Sequence, residues 1–191
     1  MNNAQHKEIN KKLDDILNLL IVRERLMCHP LITVTPEKPK KLELEDYNFR
    51  VNSDGWHKIT VDDKEYLENP EKDIWELLEE GYRGEQLFTF DAAMRETKKA
   101  GKRMPTDEEW TELIGDDDHN NSQKDKFPNP VYSGGRSTGG AFYYLGSYQY
   151  LWSSTPSGGS NAWGRNLYSS YSTVYRYADS RAYGFSVRWL K

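Results

Sequence analysis

Between Tyr150 and Leu190 the chain has no lysine, glutamate, glutamine or methionine. Those four types make up about a fifth of the 191 residues, so about eight would be expected in that interval. Other absences bound what the chain can do. A single cysteine, Cys28, excludes an intrachain disulfide. Clustered Cys and His ligands of the kind that hold zinc are missing. The opening stretch MNNAQHKEINKKLDDILNLL has no apolar run behind a basic start. It is therefore not read as a secretory signal, and synthesis in a cytoplasm is expected. No run approaches the ~18 apolar residues of a membrane span, so no membrane insertion is expected.

Catalytic patterns are equally scarce. The four histidines are His6, His29, His57 and His119, and none lies in the serine-rich tail, so no Ser–His pairing can be drawn there. A GxSxG elbow does not occur. SGGRSTGG at 133–140 is Gly-rich but lacks the Lys-Ser/Thr pair of a phosphate loop. The carboxylates of GDDDHNNSQKDKFPNP, 115–130, match no calcium-loop spacing and read as a solvated loop. Glu76 to Glu80 is read as a wet helix face. No catalytic residue, metal site or cofactor is expected, and the chain is not read as an enzyme.

What is present is unevenly distributed. The formal charge is −4, yet residues 129–191 hold six basic side chains and one acidic, Asp179. Six unpatterned positive charges do not make a nucleic-acid stripe, so no nucleic-acid partner is expected. Thirteen tyrosines and six tryptophans supply a large aromatic payload.

Along the chain, Ile9, Leu13, Ile16 and Leu20 are spaced four, three, four, and Met27 extends the seam. Leu at a with Ile at d favours assemblies above the dimer. Residues 1–28 are read as an oligomerisation coiled coil, a trimer favoured, associating through 9–27. Pro30, Pro36 and Pro39 mark 29–45 as a linker. From 46 the pattern is that of an α+β domain. A hairpin is expected to turn at Asp54-Gly55, and a helix to start at Asn69-Pro70 and carry Ile74, Trp75, Leu77 and Leu78. Thr89 should cap a helix ending before Gly101. TDEE at 106–109 is a capping box that opens another, stopped by Gly115. Short strands are expected at 151–155, 162–168, 173–177 and 183–190. In the last, Phe185, Val187 and Trp189 alternate with Ser186 and Arg188.

Three stretches together carry a resemblance: GEQLFTFDAAMRETKKAGKRMPTDEEWTELIG, YYLGSYQYLWSSTPSGGSNAWGRNL and GFSVRW. In order and spacing they resemble the C-type lectin fold of the formylglycine-generating-enzyme type, over residues 46–191. The tail resembles one branch of it, the variable proteins of diversity-generating retroelements. That resemblance implies a hypervariable region at about 143–189, written by a reverse transcriptase that corrupts template adenines. Randomised AAC or AAT codons yield Tyr, Ser, Asp, Ala, Arg, Thr and Gly but never Lys, Glu, Gln, Met or Trp. Only Trp152, Trp163 and Trp189 break the rule, and they sit in framework-like motifs. The enzymes of this fold use a pair of active-site cysteines, which residues 46–191 lack. The calcium lectins use Glu-Pro-Asn or Gln-Pro-Asp with Trp-Asn-Asp, and none of these strings occurs.

The resemblance therefore implies a non-catalytic, virion-associated protein that binds a cell-surface protein or glycan. The alternative is a fixed carbohydrate-binding or adhesin module of the same fold. The loops between the expected strands are read as carrying the Tyr and Ser residues, where tyrosine gives wide amphipathic contact for two side-chain rotors and serine adapts its hydrogen bonds. The expected ligand-facing residues are Tyr148, Tyr150, Tyr168, Ser169, Tyr171, Thr173, Tyr175, Tyr177, Ala178, Asp179, Ser180, Arg181, Ala182 and Tyr183. Phe185, Val187, Trp189, Trp152 and Trp163 are expected to carry the core.

Overall fold

The computed structural model describes residues 42–46, 48–51, 54–78, 85–115 and 123–191, within a compact unit spanning Lys41–Lys191. The expected coiled coil, most of the linker and His119 lie outside the described residues. Among the described residues the architecture is α+β, with two short helices and mostly antiparallel sheets.

β1 (His57–Val61) and β2 (Lys64–Asn69) form a hairpin, continued by β3 (Ile74–Leu77) and β4 (Gln86–Phe88) in the order β1-β2-β3-β4. The hairpin turns at Asp62-Asp63, not at the expected Asp54-Gly55. Val61 pairs with Lys64 across two residues that both adopt positive φ, 48° and 61°. Such a two-residue turn matches strand twist, and aspartate tolerates its left-handed backbone. The expected helix after Pro70 is also corrected. Ile74–Leu77 is a strand paired with β2 on one side and β4 on the other. Asp73, at φ 56°, ends the turn that precedes it. A short apolar run flanked by turn residues fits a buried strand as well as a helix segment.

The two helices form where expected. The side chain of Thr89 caps α1 (Phe90–Lys99) by accepting from the Ala92 N–H. Thr106 and Glu109 close a capping box on α2 (Asp107–Ile114), and Gly115 ends it at φ 92°. β5 (Gly135–Arg136) pairs with β6 (Phe142–Tyr143), and β7 (Tyr148–Gly158), β8 (Asn161–Tyr168) and β9 (Val174–Ser180) form a meander.

The last segment, read as one alternating strand, is instead a thread of single bridges. Gly184 bridges Arg136, Phe185 bridges Phe88, Ser186 bridges Leu151 and Leu190 bridges Leu44. It stitches all three sheets together and is buried on both sides. Ser186 and Arg188 are as inaccessible as Phe185 and Val187. Their polar atoms are satisfied internally. Ser186 Oγ lies 2.6 Å from Ser133 Oγ, and Arg188 donates to Asn48 Oδ1 and to the carbonyls of Glu45 and Asn129. Leu44, at the end of the expected linker, is buried in this domain.

Two clusters make the core. Ile74, Phe88, Phe90, Trp152, Phe185 and Val187 lie in one. Trp110, Ile114, Phe127, Leu151, Leu167 and Val174 lie in the other. Trp163 and Trp189, expected in the core, are only half-buried. Trp163 instead carries the Arg176 guanidinium over its ring at 3.4 Å.

Candidate ligand-binding face

Strand alternation sorts the tail into two faces. Register places Tyr148 opposite Tyr168, Tyr150 opposite Asn166 and Trp152 opposite Gly164. It places Asn166 opposite Tyr175, Gly164 opposite Tyr177 and Ala162 opposite Asp179. One face of β7–β9 therefore carries Tyr148, Tyr150, Tyr168, Tyr175, Tyr177 and Asp179. The other face carries Leu151, Leu167 and Val174, which pack with Trp110 and Ile114 of α2. The helix packs behind the sheet, while on the tyrosine side Tyr150 and Trp152 enter the other core cluster and leave the outer rings at the surface.

A second anchor fixes that rear face. Asp107 opens α2, and Arg165 of β8 and Arg176 of β9 both grip its carboxylate. Arg165 donates to Asp107 Oδ1 at 2.6 Å, and Arg176 donates to both oxygens at 2.7–3.1 Å. Burial of Asp107 works against its charge, but the two guanidiniums outweigh it and hold the carboxyl below its usual range.

On the front face the rings touch one another in a connected array of nine tyrosines: Tyr143, Tyr144, Tyr148, Tyr150, Tyr168, Tyr171, Tyr175, Tyr177 and Tyr183. Tyr148 is the hub, with ring centroids 4.4 Å from Tyr144 and 4.2 Å from Tyr168. Tyr168 meets Tyr175 at 5.0 Å and Tyr171 at 5.5 Å, both edge to face. Tyr150 meets Tyr143 and Tyr177 edge to face, at 5.5 and 5.9 Å, and stacks on Phe185 at 4.9 Å. Edge-to-face and offset contacts of this kind add attraction beyond area burial. The array thus grades from core outward, and Tyr171 is 58% exposed where Tyr150 is 8%.

The expected ligand-facing residues divide accordingly. Tyr148, Tyr168, Tyr171, Tyr175, Tyr177, Asp179 and Tyr183 share the front face or its rim. Ser169 is exposed in the β8–β9 turn beside Tyr171. Two expectations are corrected by burial: Tyr150 and Thr173 are buried and support the face from below. Ala178, paired with Trp163, alternates to the rear face. Ser180, Arg181 and Ala182 line a separate open cleft of about 440 Å³ with Asp73, Thr89, Asp91 and Ser160. There Arg181 pairs with Asp91. Tyr144 was missed by sequence reasoning. It is 56% exposed and extends the array past Tyr148, and its place in YYLGSYQY, before the first tail strand, gave no period to read.

The electrostatics follow from burial. Desolvation pushes the hydroxyls of Tyr143, Tyr150, Tyr168 and Tyr177 up from their ordinary value, so all stay protonated near neutrality. Desolvation also pushes the Asp179 carboxyl up. The arrangement offers hydroxyl donors and acceptors on apolar rings, a contact surface suited to binding. Among the described residues no cluster of three or more His, Cys, Asp and Glu could hold a metal ion, and no helix is long and apolar enough to cross a membrane. No protein family, curated protein or solved structure compared with the chain matches it.

Proposed function

We propose that this chain is a non-catalytic binding protein with a C-type lectin fold of the formylglycine-generating-enzyme type, whose tyrosine face is diversified by a retroelement to recognise host-surface molecules. The observation that carries this reading is the coincidence of two patterns. The segment depleted of Lys, Glu, Gln and Met is the same segment that folds into the front of β7–β9, and its tyrosines gather on one face. Leu151, Leu167 and Val174 pack on the other face, while Tyr150, Trp152 and Ala162 on the tyrosine side enter a separate core cluster. A scaffold built so can change its outer front-face side chains while the buried ones hold the core.

Display on a virus particle, with several copies gathered through residues 9–27, completes the reading. Weak single contacts would then sum to useful avidity. The deciding experiment is sequencing of the DNA around the gene. The reading expects an imperfect repeat of the 3′ coding end that differs only at adenines, beside a reverse-transcriptase gene. A flanking region with neither would overturn it. An aromatic face is also a sugar-stacking surface, and that favours the rival of a fixed carbohydrate-binding module. One reproducible glycan bound on an array by naturally varying sequences would select the rival.

A further inference from the structure

Among the described residues three large apolar side chains are exposed. Tyr144 and Tyr171 belong to the tyrosine face. The third, Met94, stands apart from it on α1 and is 40% exposed. It borders an open groove of about 320 Å³, lined by α1, the link from α1 to α2, and Ser154 of β7. Met104 and Thr97, each 2% exposed, lie at its floor.

The polar groups of the lining are already engaged. The Thr97 hydroxyl donates to the Ala93 carbonyl at 2.7 Å, and Ser154 Oγ donates to the Pro105 carbonyl at 3.2 Å. Thr106 Oγ1 accepts from the Glu109 N–H, and Arg103 makes a two-point pair with the Glu109 carboxylate at 2.6 and 2.7 Å. What remains is two thioethers and two ammonium groups, Lys98 and Lys102. The nearby acids are taken by other cations: Glu96 pairs with Arg95 and Lys99, and Glu109 with Arg103. Both lysines are exposed, and among the described residues neither side chain forms an ion pair or a hydrogen bond. Lys102 lies only over the Trp189 ring, at 5.7 Å.

This lining selects its occupant. A polar uncharged group would lose water and find no partner inside. A cation would be repelled at the rim. An apolar group flanked by carboxylates meets both demands, since it covers the methionines and answers the lysines. The groove is small for a ligand pocket and open to solvent, which suits a side chain presented by a protein better than an engulfed small molecule. We infer that this groove docks an acidic segment of a protein partner, which inserts an apolar side chain against Met94 and Met104 and sets carboxylates on Lys98 and Lys102. Seven of the eight lining residues precede the tyrosine-rich tail, so the groove stands whether or not that face is diversified.

The test is an NMR titration of the full chain labelled with ¹³C at the methionine methyls, four residues in all. The probes are the blocked peptides Ac-EELFEE-NH2, Ac-QQLFQQ-NH2 and Ac-EESSEE-NH2, and decanoate. Ac-EELFEE-NH2 should shift the methyls of Met94 and Met104, and not those of Met1 and Met27, at about 1 mM. The two altered peptides should bind at least roughly 10-fold more weakly. Lys98→Gln combined with Lys102→Gln should weaken Ac-EELFEE-NH2 by a similar factor, and Met94→Ser should weaken it too. All three positions are exposed, so the remaining spectrum should stay in place. An equal response to either altered peptide, an unchanged response in the lysine variant, or no shift up to about 5 mM would each overturn the inference. So would tighter binding of decanoate, which would assign the groove to a fatty acid. Protection of the Met94 methyl from a soluble spin label before any peptide is added would also overturn it, since another part of the chain or a second copy would then fill the groove.

Discussion

Tyr177 lies across Gly164, its partner between β8 and β9, so closely that a methyl group added to the glycine would sit 2.7 Å from the Tyr177 hydroxyl and 2.7 Å from the Leu151 carbonyl oxygen. The missing side chain is thus a slot, and the ring fills it. Backbone atoms of β7 form the floor and cannot step aside.

Gly164→Ala should therefore destabilise the domain by about 1–3 kcal/mol, an overpacking cost. Urea unfolding checks it. Adding Tyr177→Ala should recover only part of the loss beyond its own cost, because the Leu151 carbonyl clash persists. A double-mutant cycle in which the two changes simply add would mean that the ring does not press on the slot.

The outward grading of the array makes a sharper claim about tolerance. Tyr171→Ser and Tyr144→Ser remove exposed rings and should leave stability within about 0.5 kcal/mol. Tyr150→Ser removes a ring that is 8% exposed and stacked on Phe185, and should cost about 3 kcal/mol. Thermal unfolding of the three variants distinguishes a graded face from a uniform one. Equal costs would mean that the tyrosines are core and that the face cannot be freely rewritten.

Much of this face was legible in the sequence, and the reasons for the rest are physical. Composition placed the tyrosines in one segment, but they read as loop residues, whereas Tyr148, Tyr150, Tyr168, Tyr175 and Tyr177 lie on strands. The capping signals at Thr89, Thr106 and Gly115 were local chemistry and transferred directly. Ile74–Leu77 was misread because a four-residue buried strand between two neighbours has no alternation to show. Arg188 and Ser186 were assigned to an outer side because a polar residue in an alternating run usually faces water. Here Asn48, Ser133 and Asn129, distant in sequence, meet them inside. Tyr150 and Thr173 look like their exposed neighbours in composition, and depth within one face is set by tertiary packing alone. Asp179 was visible as the only acid of the tail, but its partial burial was not.

The clamp behind the sheet should be costly to break. Asp107→Asn leaves Arg165, 2% exposed, buried without its anion, and should destabilise by about 3–5 kcal/mol. The pH dependence has a definite sign. The Asp107 carboxyl is held below its ordinary 3.8, so its contribution is fully present above that value and is lost as pH falls through the lower folded value. Denaturant unfolding of the wild type and D107N should therefore differ by a constant amount at neutral pH and converge only in strong acid. A gap that closes above pH ~5 would assign the clamp to some other group.

Asp179 should show the opposite sign. Desolvation without a counter-ion raises its carboxyl, so the ionised form is worse off in the folded domain than in the unfolded chain. Asp179→Asn should then be more stable than the wild type at neutral pH. That advantage should shrink as pH falls through the raised folded value and disappear below the ordinary 3.8. Desolvation is the one cause of its raised carboxyl, and the tyrosine hydroxyls its charge acts on stay protonated throughout, so the transition belongs to the carboxylate alone. A stability difference that is flat from neutrality into acid would show Asp179 to be solvated and ordinary.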